Sequence, residues 1–245
     1  MIGTILPHRV QLSPNFGARR EGAEINMVIL HYTGMSDAQK ASDWLCNEES
    51  EVSAHYLIDE AGGIVQMVDE ACRAWHAGVA TWHGDEDLNS ASIGIEIQNL
   101  GHSLGYPDFP LAQMETVAAL CVDLTQRYMI KPRNVLAHSD VAPGRKIDPG
   151  EKFDWGFLHK RGIGHWALAQ PIKGGGFLQF GDSGETVTAL QAMLRLYGYG
   201  VEVNGLFDLR TKIVVEAFQR HFRPALVDGV ADQSTVETLH KLLRG

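Results

Sequence analysis

Ser92-Ile-Gly-Ile-Glu-Ile-Gln98 is the stretch from which the fold can be read. Its period is two. Ile93, Ile95 and Ile97 fall on one face of an extended chain, and Gly94, Glu96 and Gln98 fall on the other. Isoleucine at alternate positions predicts a strand packed on a core. The opposite face then carries a carboxylate in mid-strand. If that face is covered, Glu96 is costly or functional; if it opens into a cleft, Glu96 lines it.

Working toward the N-terminus, Met27-Val-Ile-Leu-His-Tyr32 is an unbroken apolar run, which predicts a strand buried on both faces. His31 stands at its C-terminal end, where open α/β sheets place functional groups, although a structural histidine fits there too. Ala54–Ile58 and Ile64–Val68 flank a Gly-Gly turn and read as a hairpin, with His55 a buried, hydrogen-bonded side chain. Ser36-Asp37 can cap a helix whose inner face carries Ala38, Ala41, Trp44 and Leu45. Residues 1–24, with two prolines and Arg19-Arg20, read as an irregular arm lying on the domain. Arg73-Ala-Trp-His-Ala-Gly78 precedes a polar loop at 79–90, and Trp75 and His76 each offer a flat face and a polar edge suited to a sugar or peptide.

Toward the C-terminus, Leu111 to Tyr128 repeats apolar residues at helical spacing and predicts a covering helix, stopped by Pro132. Val135-Leu136-Ala137 is a short strand that delivers His138 at its end, as the earlier strand delivers His31. The segment from Ala137 to Gly150 holds Pro143, Gly144, Pro149 and Gly150, so it is neither helix nor regular strand. It presents His138, Asp140, Lys146 and Asp148 together. Such a loop is either a solvated polar connection or a metal site, because imidazole nitrogen and carboxylate oxygen both suit Zn²⁺.

Pro171-Ile-Lys-Gly-Gly-Gly176 has the composition of a linker. Beyond it, Val187 to Tyr197, Thr211 to Phe222, and a segment capped by Ser234 and holding Val236, Leu239 and Leu242 read as three amphipathic helices. The division predicted is a catalytic domain with its arm at 1–168, a linker at 169–177 and a small helical domain at 178–245.

The 245 residues are 44% hydrophobic and 21% charged, the balance of a globular protein. A net charge of −9 argues against nucleic acid and anionic membrane as partners. No apolar run approaches the roughly 20 residues of a membrane span. Cys46, Cys72 and Cys121 are widely spaced and read as structural thiols of a reducing compartment. With no secretory signal at the N-terminus, the expected location is the cytoplasm, the alternative being the periplasm or cell envelope.

Two buried strands each ending in a histidine, and Asp148 ten residues past the second, would give three ligands and an open fourth position, the arrangement of catalytic zinc. Glu96 is then the candidate general base and Lys146 the candidate oxyanion partner of a metal-assisted amide hydrolysis. Asp140 and His76 are the competing ligands.

Ile29-Leu-His-Tyr-Thr33, Ser53-Ala-His-Tyr56, Ala74-Trp-His-Ala-Gly78, Ser92-Ile-Gly-Ile-Glu96 and the His138–Gly150 loop together resemble the type 2 zinc-dependent N-acetylmuramoyl-L-alanine amidases, whose fold is shared with T7 lysozyme and the peptidoglycan recognition proteins. The resemblance covers roughly residues 25–165, in the family's order. It implies a mixed central β-sheet flanked by helices with a zinc-containing groove. It implies His31, His138 and Asp148 as zinc ligands, Glu96 and Lys146 as the catalytic pair, and Trp75 and His76 in the substrate groove. The bond implied is that between the lactyl group of N-acetylmuramic acid, or its anhydro form, and L-alanine. Gly181-Asp-Ser-Gly184, Val203-Asn-Gly-Leu-Phe-Asp208 and Asp228-Gly229 are similar to the three-helix peptidoglycan-binding domain, over about 178–243. The partners implied are peptidoglycan or muropeptide fragments. A non-catalytic peptidoglycan receptor is the alternative, and Glu96, Lys146 and Asp148 speak against it.

Overall fold

A computed structural model describes residues 2–172 and 174–245; Met1 and Lys173, the latter inside the expected linker, lie outside the described residues. The strands are β1 (Arg9–Val10), β2 (Phe16–Ala18), β3 (Met27–Tyr32), β4 (Tyr56–Ile58), β5 (Ile64–Gln66), β6 (Cys72–Ala74), β7 (Ser92–Ile97), β8 (Val135–Ala137), β9 (Phe177–Leu178) and β10 (Ala231–Asp232). The α-helices are α1 (Ala38–Leu45), α2 (Leu88–Ala91), α3 (Leu111–Arg127), α4 (His138–Val141), α5 (Trp155–His159), α6 (Glu185–Tyr197), α7 (Leu209–Phe222) and α8 (Gln233–Arg244).

The central sheet is mixed, in the order β1-β5-β4-β7-β3-β8. β4, β7, β3 and β8 run parallel, and β5 runs antiparallel to β4 as the hairpin predicts. The isoleucine face of β7 packs with Val28 and Leu30 of β3 against Met114, Val117, Cys121 and Leu124 of α3. The other face is divided. α1 covers Leu57 and Val65 at one end through Ala41 and Leu45. At the other end Met27, Ile29 and Leu136 join one buried cluster with Leu194, Tyr199, Val214 and Phe218 of the C-terminal helices. The middle of that face, where Gly94 and Glu96 stand, is left for the site.

Four local expectations are corrected. The segment from Ala137 to Gly150 is not irregular throughout: His138–Val141 form the short helix α4, ahead of both prolines. The N-terminal arm is not irregular throughout: β1 pairs with β5, and β2 pairs antiparallel with β6. Trp44 is not on the inner face of α1 but 47% exposed, because Ala38, Ala41 and Leu45 fill the space below the helix. α8 is capped by Asp232, which accepts from the Thr235 N–H at 2.8 Å, and not by Ser234, whose hydroxyl donates to the Gln170 carbonyl. The cap expected for α1 is present, with Asp37 accepting from the Lys40 N–H.

The 79–90 loop is pinned beneath the C-terminal helices. Trp82 is fully buried and meets the Tyr197 and Tyr199 rings edge-on at 6.0 and 5.1 Å. The His83 N–H donates to the Gly198 carbonyl at 2.9 Å. A Cβ at Gly198 would lie 2.6 Å from the Trp82 ring, so only glycine admits the indole there.

His55 is fully buried: its Nδ1 accepts from the Gly94 N–H at 3.0 Å, and its Nε2–H donates to the Cys72 carbonyl at 3.1 Å, beside the Arg19 guanidinium. Burial first, then the Arg19 charge, push its pKa down to about 3. The unfolded chain therefore takes up a proton below about pH 6.5 that the folded chain refuses. The stability due to neutral His55 is present above pH 6.5 and is lost as pH falls toward 3, at up to about 1.4 kcal/mol per pH unit. Denaturant titrations between pH 8 and pH 5 will show a shallower pH slope for His55→Gln than for wild type; equal slopes would contradict the assignment.

Candidate metal centre

β3 and β8 are adjacent and parallel, with Leu30 level with Ala137, so His31 and His138 emerge side by side at their C-terminal ends. The two Nδ1 atoms are 2.8 Å apart. Asp148 brings its Oδ2 to 3.0 Å from His138 Nδ1 and 3.3 Å from His31 Nδ1. All three side chains are buried. The turn that presents Asp148 is fixed to the one presenting His138, since the Ser139 N–H donates to the Asp148 carbonyl at 3.0 Å.

The hydrogen bonds around the group decide where the protons are. Ser92 Oγ–H donates to the Leu88 carbonyl at 2.6 Å, so Ser92 Oγ accepts from His76 Nε2–H at 3.2 Å. His76 Nδ1 is therefore an acceptor, and takes the Nε2–H of His31 at 3.1 Å. The nearest neighbour of His138 Nε2 is the Ala77 carbonyl at 3.1 Å, which accepts its N–H. Both Nδ1 atoms thus point their lone pairs inward, at each other and at a carboxylate oxygen. Three acceptors meet with no proton among them. Such a set fits a cation: a tetrahedral ion with bonds of about 2.0–2.1 Å places its ligand atoms roughly 3.3 Å apart.

Burial and then the adjacent His138 push His31 down to about 4, against the pull of Asp148. Burial alone would raise the Asp148 carboxyl, but His138 and His31 outweigh it and hold it well below the usual carboxylate range.

Glu96 of β7 is the register partner of His31. Among the described residues its buried Oε2 has no hydrogen-bond partner. Burial, and secondarily the Asp148 charge, raise this carboxyl well above the carboxylate range, with Lys146 working against them. Glu96, Lys146, His31, His138 and Asp148 line one cleft of about 340 Å³, with Trp44 and Trp75 also on its wall. Trp44 escaped notice in the sequence because an aromatic three residues after Ala41 reads as core at helical spacing.

His76 also borders the cleft, but both of its nitrogens are engaged below it. Its ring lies over Gly94, where a Cβ would come within 2.4 Å of His76 Cγ. Asn89 Oδ1 holds the backbone here, accepting from the N–H groups of His76 and Ala77. Asp140 faces away from the three converging atoms, toward Tyr199 and His221. Ser92 and Asn89 left no sequence signal beyond being small polar residues near a strand start.

What the fold presents here is a hydrolase: a cation-accepting triad open to a cleft, next to an unpaired, protonatable carboxyl. The family described as N-acetylmuramoyl-L-alanine amidase matches residues 21–151, and the one described as "Putative peptidoglycan binding domain" matches residues 183–239. The N-acetylmuramoyl-L-alanine amidase AmiD of Escherichia coli (strain K12) is 36% identical over 98% of this chain and 90% of its own length. A solved structure of E. coli AmiD with the substrate anhydro-N-acetylmuramic acid-L-Ala-D-gamma-Glu-L-Lys superposes with a TM-score of 0.77 at 34% identity, covering 92% of each chain. The structure of AmpDh3 from Pseudomonas aeruginosa in complex with anhydromuramic pentapeptide gives 0.72 at 30% identity, covering 94% of this chain and 96% of that one. The chain belongs to the N-acetylmuramoyl-L-alanine amidase family. Among the described residues, no helix is long and apolar enough to cross a membrane.

The convergent acceptors predict one tightly held divalent ion per chain. Metal analysis after dialysis will find about one equivalent in wild type and much less than one in His138→Ala. Equal content in both would show that the triad is not the site.

Proposed function

We propose that His31, His138 and Asp148 hold a zinc ion, and that the enzyme hydrolyses the amide joining the lactyl group of N-acetylmuramic acid, in its anhydro form above all, to L-alanine of a stem peptide. The observation that carries this reading is the proton-free meeting of the three acceptors beside Glu96. The substrate is supported by the two structural relatives, each of which holds an anhydro-muramyl peptide. Bound zinc supplies Lewis acidity toward the carbonyl and toward the attacking water.

Glu96 takes a proton from the water that attacks the lactyl carbonyl and returns it to the departing alanine nitrogen, so that one water is consumed and an acid and an amine are released. Its raised affinity for a proton suits the second half of that task, because a base that binds protons too weakly cannot carry one to the amine, while the charge of a bound cation would favour the carboxylate that the first half needs. Lys146 faces the same cleft and stabilises the negative charge that develops on the carbonyl oxygen. Trp75 and Trp44 offer flat walls for the sugar or peptide. His76 serves by holding His31 in the tautomer that ligation needs.

The module at 183–239 is read as a wall-polymer binder. The reading is the cytoplasm, with soluble anhydro-muropeptides as substrate, and the three cysteines without a disulfide support it; the alternative is the envelope, with polymeric wall as substrate.

Mass-resolved product analysis with soluble anhydro-muropeptide and with intact sacculi, each with and without chelator, tests the reading. Free stem peptide released only when metal is present is the expected product. No cleavage of the lactyl amide in either substrate by folded, zinc-loaded protein would refute it. Glu96→Gln is expected to keep its zinc and to lose about 10²–10⁴-fold in kcat; retention of wild-type kcat would remove Glu96 from the chemistry.

A further inference from the structure

Asp140 lies two residues from His138, is 1% exposed, and donates nothing to the metal triad. Its Oδ2 accepts from the Ala137 N–H at 2.8 Å and from His221 Nδ1–H at 2.6 Å, and its Oδ1 accepts from the Tyr199 hydroxyl at 2.6 Å. Two of these three donors belong to the C-terminal helical unit: Tyr199 follows α6, and His221 lies in α7. Both are themselves buried. His221 is stacked between Trp155 at 3.7 Å and Phe222 at 3.8 Å, so its ring has no freedom to follow a moving partner. Burial, then the Asp140 charge, raise the Tyr199 hydroxyl well above its usual value, which keeps it a donor.

The carboxylate so held closes the turn that carries the ligand. Ala137 N–H to Asp140 ties the two ends of the four-residue segment around His138, and the Ala142 N–H donates to the His138 carbonyl at 2.9 Å. Asp148 hangs on the same turn through Ser139. A carboxylate this deeply buried needs its full set of donors. Where one is lost it turns toward another partner, and the turn bearing His138 moves with it. A metal site tolerates little of that, since ligand distances are fixed within a few tenths of an ångström.

We propose that the C-terminal helical unit is a working part of the metal centre, with Tyr199 and His221 acting through Asp140 as positioning residues for His138. The inference rests on the assignment of His138 as a metal ligand. The unit thereby gains a role apart from any binding of wall polymer.

The test uses full-length Tyr199→Phe and His221→Phe, each of which keeps the ring and removes the donor to Asp140. Leu239→Ala is the control; it removes core volume from α8 and no hydrogen bond to Asp140. Zinc dissociation constants are measured by competition with a chromophoric chelator, beside thermal midpoints and steady-state kinetics. Tyr199→Phe and His221→Phe are expected to weaken zinc about tenfold each and to lower kcat more than they change KM, while Leu239→Ala lowers the midpoint and leaves zinc affinity unchanged. Wild-type zinc affinity in both donor variants would overturn the proposal, as would an equal loss in Leu239→Ala. The variants lie in different elements, so if one fails to fold the other decides. Wild type that itself binds no zinc would overturn the metal assignment and this inference with it, a result distinct from binding that the variants leave untouched.

Discussion

Two imidazole nitrogens and a carboxylate oxygen, within 2.8 to 3.3 Å of one another and without a proton among them, are the constraint on which the rest of this structure depends. Left to themselves, buried acceptors at such distances repel, and each would turn away or take up a proton. The protein prevents both. Leu88 and Ala77 carbonyls, which can only accept, pull the imidazole protons outward, the first through Ser92 and His76 and the second directly. Two adjacent parallel strands fix the separation of the histidines, and a backbone hydrogen bond fixes Asp148 to the turn of His138. A bound cation would resolve the remaining repulsion, and the three converging acceptors fit one.

The sheet face is divided to make room for this. Helix α1 and the C-terminal helices cover its two ends, and between them Gly94 leaves space for the His76 ring while Glu96 projects into the cleft. One buried apolar cluster runs from Met27 and Ile29 through Trp82 to Tyr199 and Phe218. The C-terminal helices are thus packed on the catalytic sheet rather than suspended from it. The aromatic contacts of Trp82 with Tyr197 and Tyr199 are each worth about 0.5–1.5 kcal/mol beyond their burial. They hold in place the loop at 79–90 that follows the Ala77 carbonyl.

Much of this could be read from the chain. The alternation of Ile93, Ile95 and Ile97 gave the orientation of Glu96, and the two apolar runs ending in histidine gave the strands that carry His31 and His138, because periodicity and burial are local properties of sequence. The hairpin, the covering helix and the three C-terminal helices followed from the same patterns. What could not be read depended on partners distant in sequence. Trp44 reads as core until the width of the space beneath α1 is known. β1 and β2 are too short to show a period and exist only by pairing with β5 and β6. Asp140 looks like a ligand beside His138, and only the approach of Tyr199 and His221, 59 and 81 residues away, shows where it turns. His76 borders the groove as expected, but only the position of Ser92 reveals the direction of its hydrogen bonds.

Zinc-edge X-ray absorption on the purified chain addresses the centre of this account most directly. Two imidazole nitrogens and one carboxylate oxygen, completed by a further light atom, all at about 2.0–2.1 Å, are what the triad requires. A sulfur shell at about 2.3 Å would contradict it, since that would place the metal on one of the three cysteines and leave the converging acceptors without a function.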